Sequence, residues 1–224
     1  MKAVVGIVIT FVSMLLSAHS LSAQGKFSLS ISGSPTYSYS KTKQSVLIPD
    51  IGKGGFIPLD LASQLTGRGY TIGLLGRYAF QPRWSVSTGI WMSYNQTDVP
   101  TFETSMPVDH SPFGRTRSRH YQVPILVNFQ SSARRLSPYF SAGALFSFRS
   151  PTYLNIGNDQ GIGIAADRHK VTVVPTIGVG AIYRMSNHLS LAVQPTFNYY
   201  LPQGTYSSYF SGRASLQTQL FYTF

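Results

Sequence analysis

Several residues in this chain are of types that could do chemistry. His110, His120 and His169 lie in or beside polar, turn-rich stretches. Asp98, Glu103, Asp109 and Asp167 lie in the same stretches, and Ser111 directly follows His110. A hydroxyl nucleophile needs a base within hydrogen-bond reach and an acid that orients the base. That arrangement is defined in space, and adjacency in sequence does not supply it, so these residues read as solvated loop positions and no catalytic residue is assigned. Gly161-Ile162-Gly163-Ile164-Ala165-Ala166 matches a dinucleotide fingerprint by letters. It lacks the preceding strand, the following helix and the acidic residue about 20 positions on that the chemistry requires. With no Cys in the chain there is no thiolate site and no disulfide framework. No His spacing suits a metal, and no cofactor is implied.

Charge is the feature that remains. The 18 basic and 7 acidic residues leave a net charge of +11, and Arg115, Arg117 and Arg119 cluster in a Pro/Ser/Thr-rich stretch between strands. A nucleic-acid surface is the first reading of such a balance, but the distribution does not fit it, and no nucleic-acid partner is expected. A phosphate-dense lipopolysaccharide surface is the more natural neighbour. Arg115, Arg117 and Arg119, with Lys41, Lys43, Arg168 and Lys170, are the candidate headgroup-binding residues. The acids Asp50, Asp60, Asp98, Glu103, Asp109, Asp159 and Asp167 all fall in segments read as loops.

The elements that position these residues are strands. Lys2 and the apolar run Ala3–Leu16 precede Ser17-Ala18-His19-Ser20-Leu21-Ser22-Ala23. This is the layout of a secretory signal peptide, with an apolar run too short for a membrane helix. Residues 1–23 are assigned to it, with cleavage after Ser20 as the alternative, and 24–224 to a single domain. In that domain apolar and polar residues alternate. Phe27, Leu29, Ile31, Tyr37 and Tyr39 share one parity, with Ser28, Ser30, Ser32 and Ser38 on the other. The pattern recurs over 70–80, 84–94, 121–129, 140–148, 171–183, 189–199 and 216–224. Period two marks a strand with two different faces. The runs, about 10 to 13 residues, exceed the usual globular strand and suit a tilted membrane strand. Charged residues make up only 11% of the chain, less than half the typical share of about 25%.

The connections sort by length. Stretches 41–68, 95–119, 149–169 and 201–212 are long, whereas 81–83, 130–138 and 185–188 are short. Long loops on one side and short turns on the other is the outer-membrane arrangement. Aromatics of the outward parity fall at both strand ends. Phe27, Phe80, Trp84, Phe129, Phe140, Tyr183 and Tyr222 lie on the short-turn side, and Tyr39, Tyr70, Tyr94, Tyr121, Phe148 and Tyr199 on the long-loop side. These are the two membrane girdles expected of a barrel. The fold class is therefore all-β: an eight-stranded antiparallel up-and-down transmembrane β-barrel.

The inward parity carries small residues with Leu75, Trp91, Leu126, Tyr139, Tyr200 and Phe221 at intervals. Eight strands enclose a space that side chains fill, so a packed lumen is expected. Arg77, Arg184 and Arg213 also point inward, toward Asn128, Gln194 and Gln217 or the wet rims. The stretch 45–65 is apolar for a loop: a hairpin above the membrane, a lid, or two further strands, with Pro49 and Pro58 arguing against continuous strands.

The segment His120-Tyr121-Gln122-Val123-Pro124-Ile125-Leu126-Val127-Asn128-Phe129 resembles a motif of the porin-family, PorT-like outer-membrane β-barrel domain, and Pro138-Tyr139-Phe140-Ser141-Ala142-Gly143-Ala144 looks like the start of its next strand. The resemblance implies an eight-stranded outer-membrane barrel and no reaction. The last strand resembles the assembly signal of such barrels through Gln217, Tyr222 and Phe224, with Gln219 where Gly is usual. That implies the barrel-assembly machinery as a partner. The expected function is a structural or surface-binding barrel in a lipopolysaccharide membrane, with a co-encoded protein as a further partner. The alternatives are a lipid-modifying rim enzyme and a narrow channel for small solutes.

Overall fold

The computed structural model describes residues 27–50, 55–98, 101–104, 115–149, 152–155, 161–164, 171–202 and 206–224. The signal-peptide assignment lies outside these residues, as do Asp109, His110, Ser111, Asp159, Asp167, Arg168, His169 and Lys170. The strands are β1 (Phe27–Asp50), β2 (Gly55–Ala79), β3 (Trp84–Thr97), β4 (Thr101–Thr104), β5 (Thr116–Gln130), β6 (Leu136–Arg149), β7 (Thr152–Asn155), β8 (Gly161–Ile164), β9 (Val171–Arg184), β10 (Leu189–Tyr199) and β11 (Ser208–Thr223).

Eight of them, β1, β2, β3, β5, β6, β9, β10 and β11, form a closed antiparallel ring in up-and-down order. β1 pairs with β11 at the seam, and β3 pairs with β5 across β4. Closure satisfies every strand edge within the ring. The three short strands decorate the long-loop end: β4 pairs with β2 at Leu61–Gln64, and β7 pairs with both β5 and β8.

The ring is inside out relative to a soluble barrel. Ile31, Leu74, Ile177 and Val179 are 60%, 64%, 58% and 56% exposed, while Ser85, Asn128, Gln194 and Gln217 are buried in the lumen. Large aliphatic side chains normally lie inside, and a continuous apolar wall is stable only against lipid or a partner. From Trp84 to Tyr94 the chain advances ten residues. At ~3.4 Å per residue and a tilt of ~40° this spans about 26 Å, the height of a barrel's apolar band.

Two sequence expectations need correction. The long stretch 41–68 is not a loop: β1 and β2 continue through it as one hairpin, paired from Phe27↔Tyr78 to Asp50↔Gly55. The prolines do not break it because Pro49 and Pro58 lie near the tip, beyond the last partners of β11 and β4. There neither strand has a second partner among the described residues, so a missing N–H costs no ladder bond. Consequently Asp50 and Asp60 sit in strands, as does Glu103 in β4. Likewise β11 starts at Ser208, extending to pair with Lys43. Within the ring, Pro35, Pro124 and Pro195 each interrupt one ladder locally, and the register resumes unchanged beyond them.

Candidate functional site

The lumen holds two apolar clusters with polar bonds around them. Toward the short turns, Tyr139, Ile182, Ala192 and Phe221 pack together, with the Arg77 guanidinium 5.5 and 5.4 Å from the Tyr139 and Phe221 ring centroids. Farther along, Leu75, Trp91, Leu126, Leu145 and Val174 form a second cluster, with half-buried Tyr200 against it. Gly73 makes room for this layer. It is the cross-strand partner of Trp91, and a Cβ there would collide with the indole and the Ile90 carbonyl.

Buried polar side chains in the lumen must find partners. Ser141 Oγ donates to Gln194 Oε1 (3.2 Å), and Gln194 Nε2 donates to Gln217 Oε1 (2.8 Å). Asn128 Nδ2 donates to Ser87 Oγ at 2.8 Å. Neither Arg77 nor Arg213 takes an expected amide partner, while Arg184 reaches the rim. Arg77 Nε bonds Ser85 Oγ at 2.8 Å, and Arg213 crosses the lumen from β11 to donate to Ser93 Oγ on β3 at 3.1 Å. Arg184, of inward parity, is exposed at the end of β9. Gln194 and Gln217 are occupied by each other, because the strand register sets amide opposite amide, and Asn128 is occupied by Ser87.

Beyond Arg213 the lumen widens into an open vestibule of about 360 Å³ at the long-loop end. Hydroxyl side chains dominate its wall, among them Ser38, Thr97, Ser118 and Thr172, with His120 and Tyr209. His120 Nε2 lies 3.1 Å from Ser118 Oγ. Burial pushes the Tyr209 phenol above its ordinary pKa, against the opposing effect of its hydrogen bond with Ser211, so it is neutral at physiological pH.

The outer wall carries a second arrangement. Arg117 and Arg119 are not in a loop but in β5, because the outward parity of Tyr121 continues past the aromatic position; Arg115 immediately precedes the strand. All three are exposed. The register puts Arg117 beside Gln96, and Gln96 beside Arg68. Arg119 lies beside Tyr94, whose ring is 5.4 Å from that of Tyr70. Exposed Lys41 and Lys43 extend this outward face on β1. A basic arc thus spans β5, β3, β2 and β1 just beyond the aromatic row. Asp98 lies at the same level and accepts a hydrogen bond from Thr66. Sequence reading missed Arg68 by assigning it to a loop, although the parity Arg68, Tyr70, Ile72, Leu74 contained the signal.

The aromatics assigned to the girdles lie on the outward rows. Trp84, Phe129 and Phe140 touch in succession, at 4.8 and 6.3 Å between ring centroids. Phe80, Tyr121, Phe148, Tyr183 and Tyr222 are exposed; Phe27, Tyr39 and Tyr199 are half-buried. Phe224 stacks on Phe27 at 6.0 Å and meets Tyr222 edge-on. Among the described residues no group of three His, Cys, Asp or Glu is placed to hold a metal. The described part of the glycine run, Gly161–Ile164, is strand β8, paired with β7.

No protein-family model matches the chain, and no curated protein matches it. Solved structures do resemble it. Neisserial surface protein A is 9% identical with a TM-score of 0.47, over 88% of this chain and 97% of that one. The outer membrane protein OprG of Pseudomonas aeruginosa is 13% identical with a TM-score of 0.48, over 89% and 96%. Ail, the attachment invasion locus protein of Yersinia pestis, is 15% identical with a TM-score of 0.40, over 88% and 99%. These are likenesses of architecture, and residue roles do not transfer across them.

Proposed function

We propose that this chain is an integral outer-membrane barrel with a closed lumen, and that its work is binding at the long-loop end rather than conduction or catalysis. The observation that carries this reading is the basic arc of Lys41, Lys43, Arg68, Arg117 and Arg119, set on the lipid-facing side just beyond an aromatic row. Phosphate groups of outer-leaflet lipopolysaccharide sit at that height, and guanidinium forks suit them. The two apolar layers across the lumen support a closed barrel. Residues 1–23 act as the secretory signal in this reading. The outward aromatics Tyr222 and Phe224, with Gln217, engage the barrel-assembly machinery, and a co-encoded protein is a further partner. The PorT-like assignment rests on the β5 and β6 motifs, whose strands are paired neighbours.

The test is lipopolysaccharide binding by the purified barrel, wild type against Arg68→Ser/Arg117→Ser/Arg119→Ser. Loss of the salt-sensitive part of the binding is expected. Unchanged binding would sink the headgroup assignment, and steady single-channel conductance in a planar bilayer would replace the closed-lumen reading with a narrow channel.

A further inference from the structure

The vestibule inside the barrel, separate from the outer arc, holds a buried positive charge. Arg213 forms part of the lining of the vestibule and of a small void of about 20 Å³ beneath it. The side chain is only 6% exposed, and a guanidinium cannot shed its charge. Its contacts among the described residues are neutral: Ser93 Oγ accepts from Nη1, and the Tyr200 ring lies 5.4 Å away. Nε is buried with no hydrogen-bond partner. Among the described residues no carboxylate side chain lines either cavity. A buried, uncompensated charge is unfavourable unless something supplies the opposite sign. Asn95 Oδ1, on a residue of the same wall, is also buried without a partner.

We propose that the vestibule binds a small hydroxylated anion, its carboxylate or phosphate compensating Arg213 and its hydroxyls meeting the Ser/Thr wall. The space, about 360 Å³, is at the small end of ligand pockets and fits a monosaccharide-sized molecule. The wall is polar without being charged: Ser38, Thr97, Ser118 and Thr172 offer hydroxyls that donate or accept, as a polyol requires. Tyr206 and Tyr209, at the same mouth, add ring faces. The residues of the outer arc take no part in this lining.

The test uses the full barrel in phosphatidylcholine nanodiscs, which removes anionic lipid as a competitor. Calorimetric titration compares D-glucuronate, glucose 6-phosphate, inorganic phosphate and glucose. Charge-assisted hydrogen bonds predict that a sugar anion binds about tenfold to a hundredfold more tightly than glucose. The better of the two anions identifies the carboxylate or the phosphate source. Inorganic phosphate binding as well as both sugar anions would overturn the polyol part. Arg213→Met should abolish the preference, and Ser40→Leu, which fills the vestibule and leaves Arg213 in place, should abolish binding altogether. Neither anion surpassing glucose, or Arg213→Met retaining the preference, would overturn the site. If Arg213→Met does not refold, Ser40→Leu decides, and unchanged binding in it rejects the vestibule.

Discussion

Leu74→Arg separates a lipid-facing wall from a wall that faces water. Leu74 is 64% exposed, points outward from β2, and lies four residues from Tyr70 and four from Tyr78. At ~3.4 Å per residue and ~40° of tilt, each aromatic is about 10 Å away along the barrel axis, which places Leu74 near the middle of the apolar band. Its cross-strand partners are Ile31 and Ile90, themselves 60% and 43% exposed, so the arginine would have no polar side chain on its flanks. In a bilayer, arginine at the midplane costs about 2–4 kcal/mol, falling to about 0–1 near the interface. On a water-facing surface the same change stays within about ±0.5 kcal/mol. Gln96→Arg is the matched control, because Gln96 lies one outward row beyond Tyr94, beside Arg68 and Arg117. Urea unfolding of the barrel in lipid vesicles should show the large loss at position 74 and a small change at 96. Equal changes at the two positions, or none at 74, would refute the membrane placement of this wall.

Other outcomes follow from the lumen and the arc. Leu126→Ala removes a 3% exposed side chain from the upper apolar layer and should cost about 2–5 kcal/mol in the same unfolding assay. Gly73→Val forces Trp91 aside, so a changed Trp fluorescence spectrum should accompany its loss of stability. Gln194→Leu strands Ser141 and Gln217 without partners and should cost about 1–3 kcal/mol; adding Gln217→Leu should recover part of it in a double-mutant cycle. Removing Arg68, Arg117 and Arg119 should weaken attachment to anionic vesicles by on the order of 1 kcal/mol per residue at low salt, with the difference shrinking as the Debye length shortens.

Much of the fold was legible because a strand announces itself locally. Alternation in 27–39 or 84–94 needs no knowledge of the rest of the chain, and it assigns each side chain to a face. The lumen residues Leu75, Trp91, Leu126, Tyr139 and Phe221 were identified this way, and all are buried. Where local rules failed, the missing information was an edge. Pro49 and Pro58 looked like strand breakers, yet at an unpaired edge they remove no bond, and only the pairing shows where the edges are. The candidate sites were less legible still. Arg115, Arg117 and Arg119 stood out as a run, but Arg68 joins them only through Gln96, because β2 and β5 each pair with β3.

By itself, then, the sequence determined the membrane-level runs of the eight ring strands, their two faces and the apolar outer wall, since all three depend on the character of residues two apart. Tertiary structure decided what lies opposite what. Closure and register are long-range, set by many weak pairings at once, and they alone bring Arg213 across to Ser93, leave its Nε without a partner among the described residues, and open a hydroxyl-lined vestibule beside it.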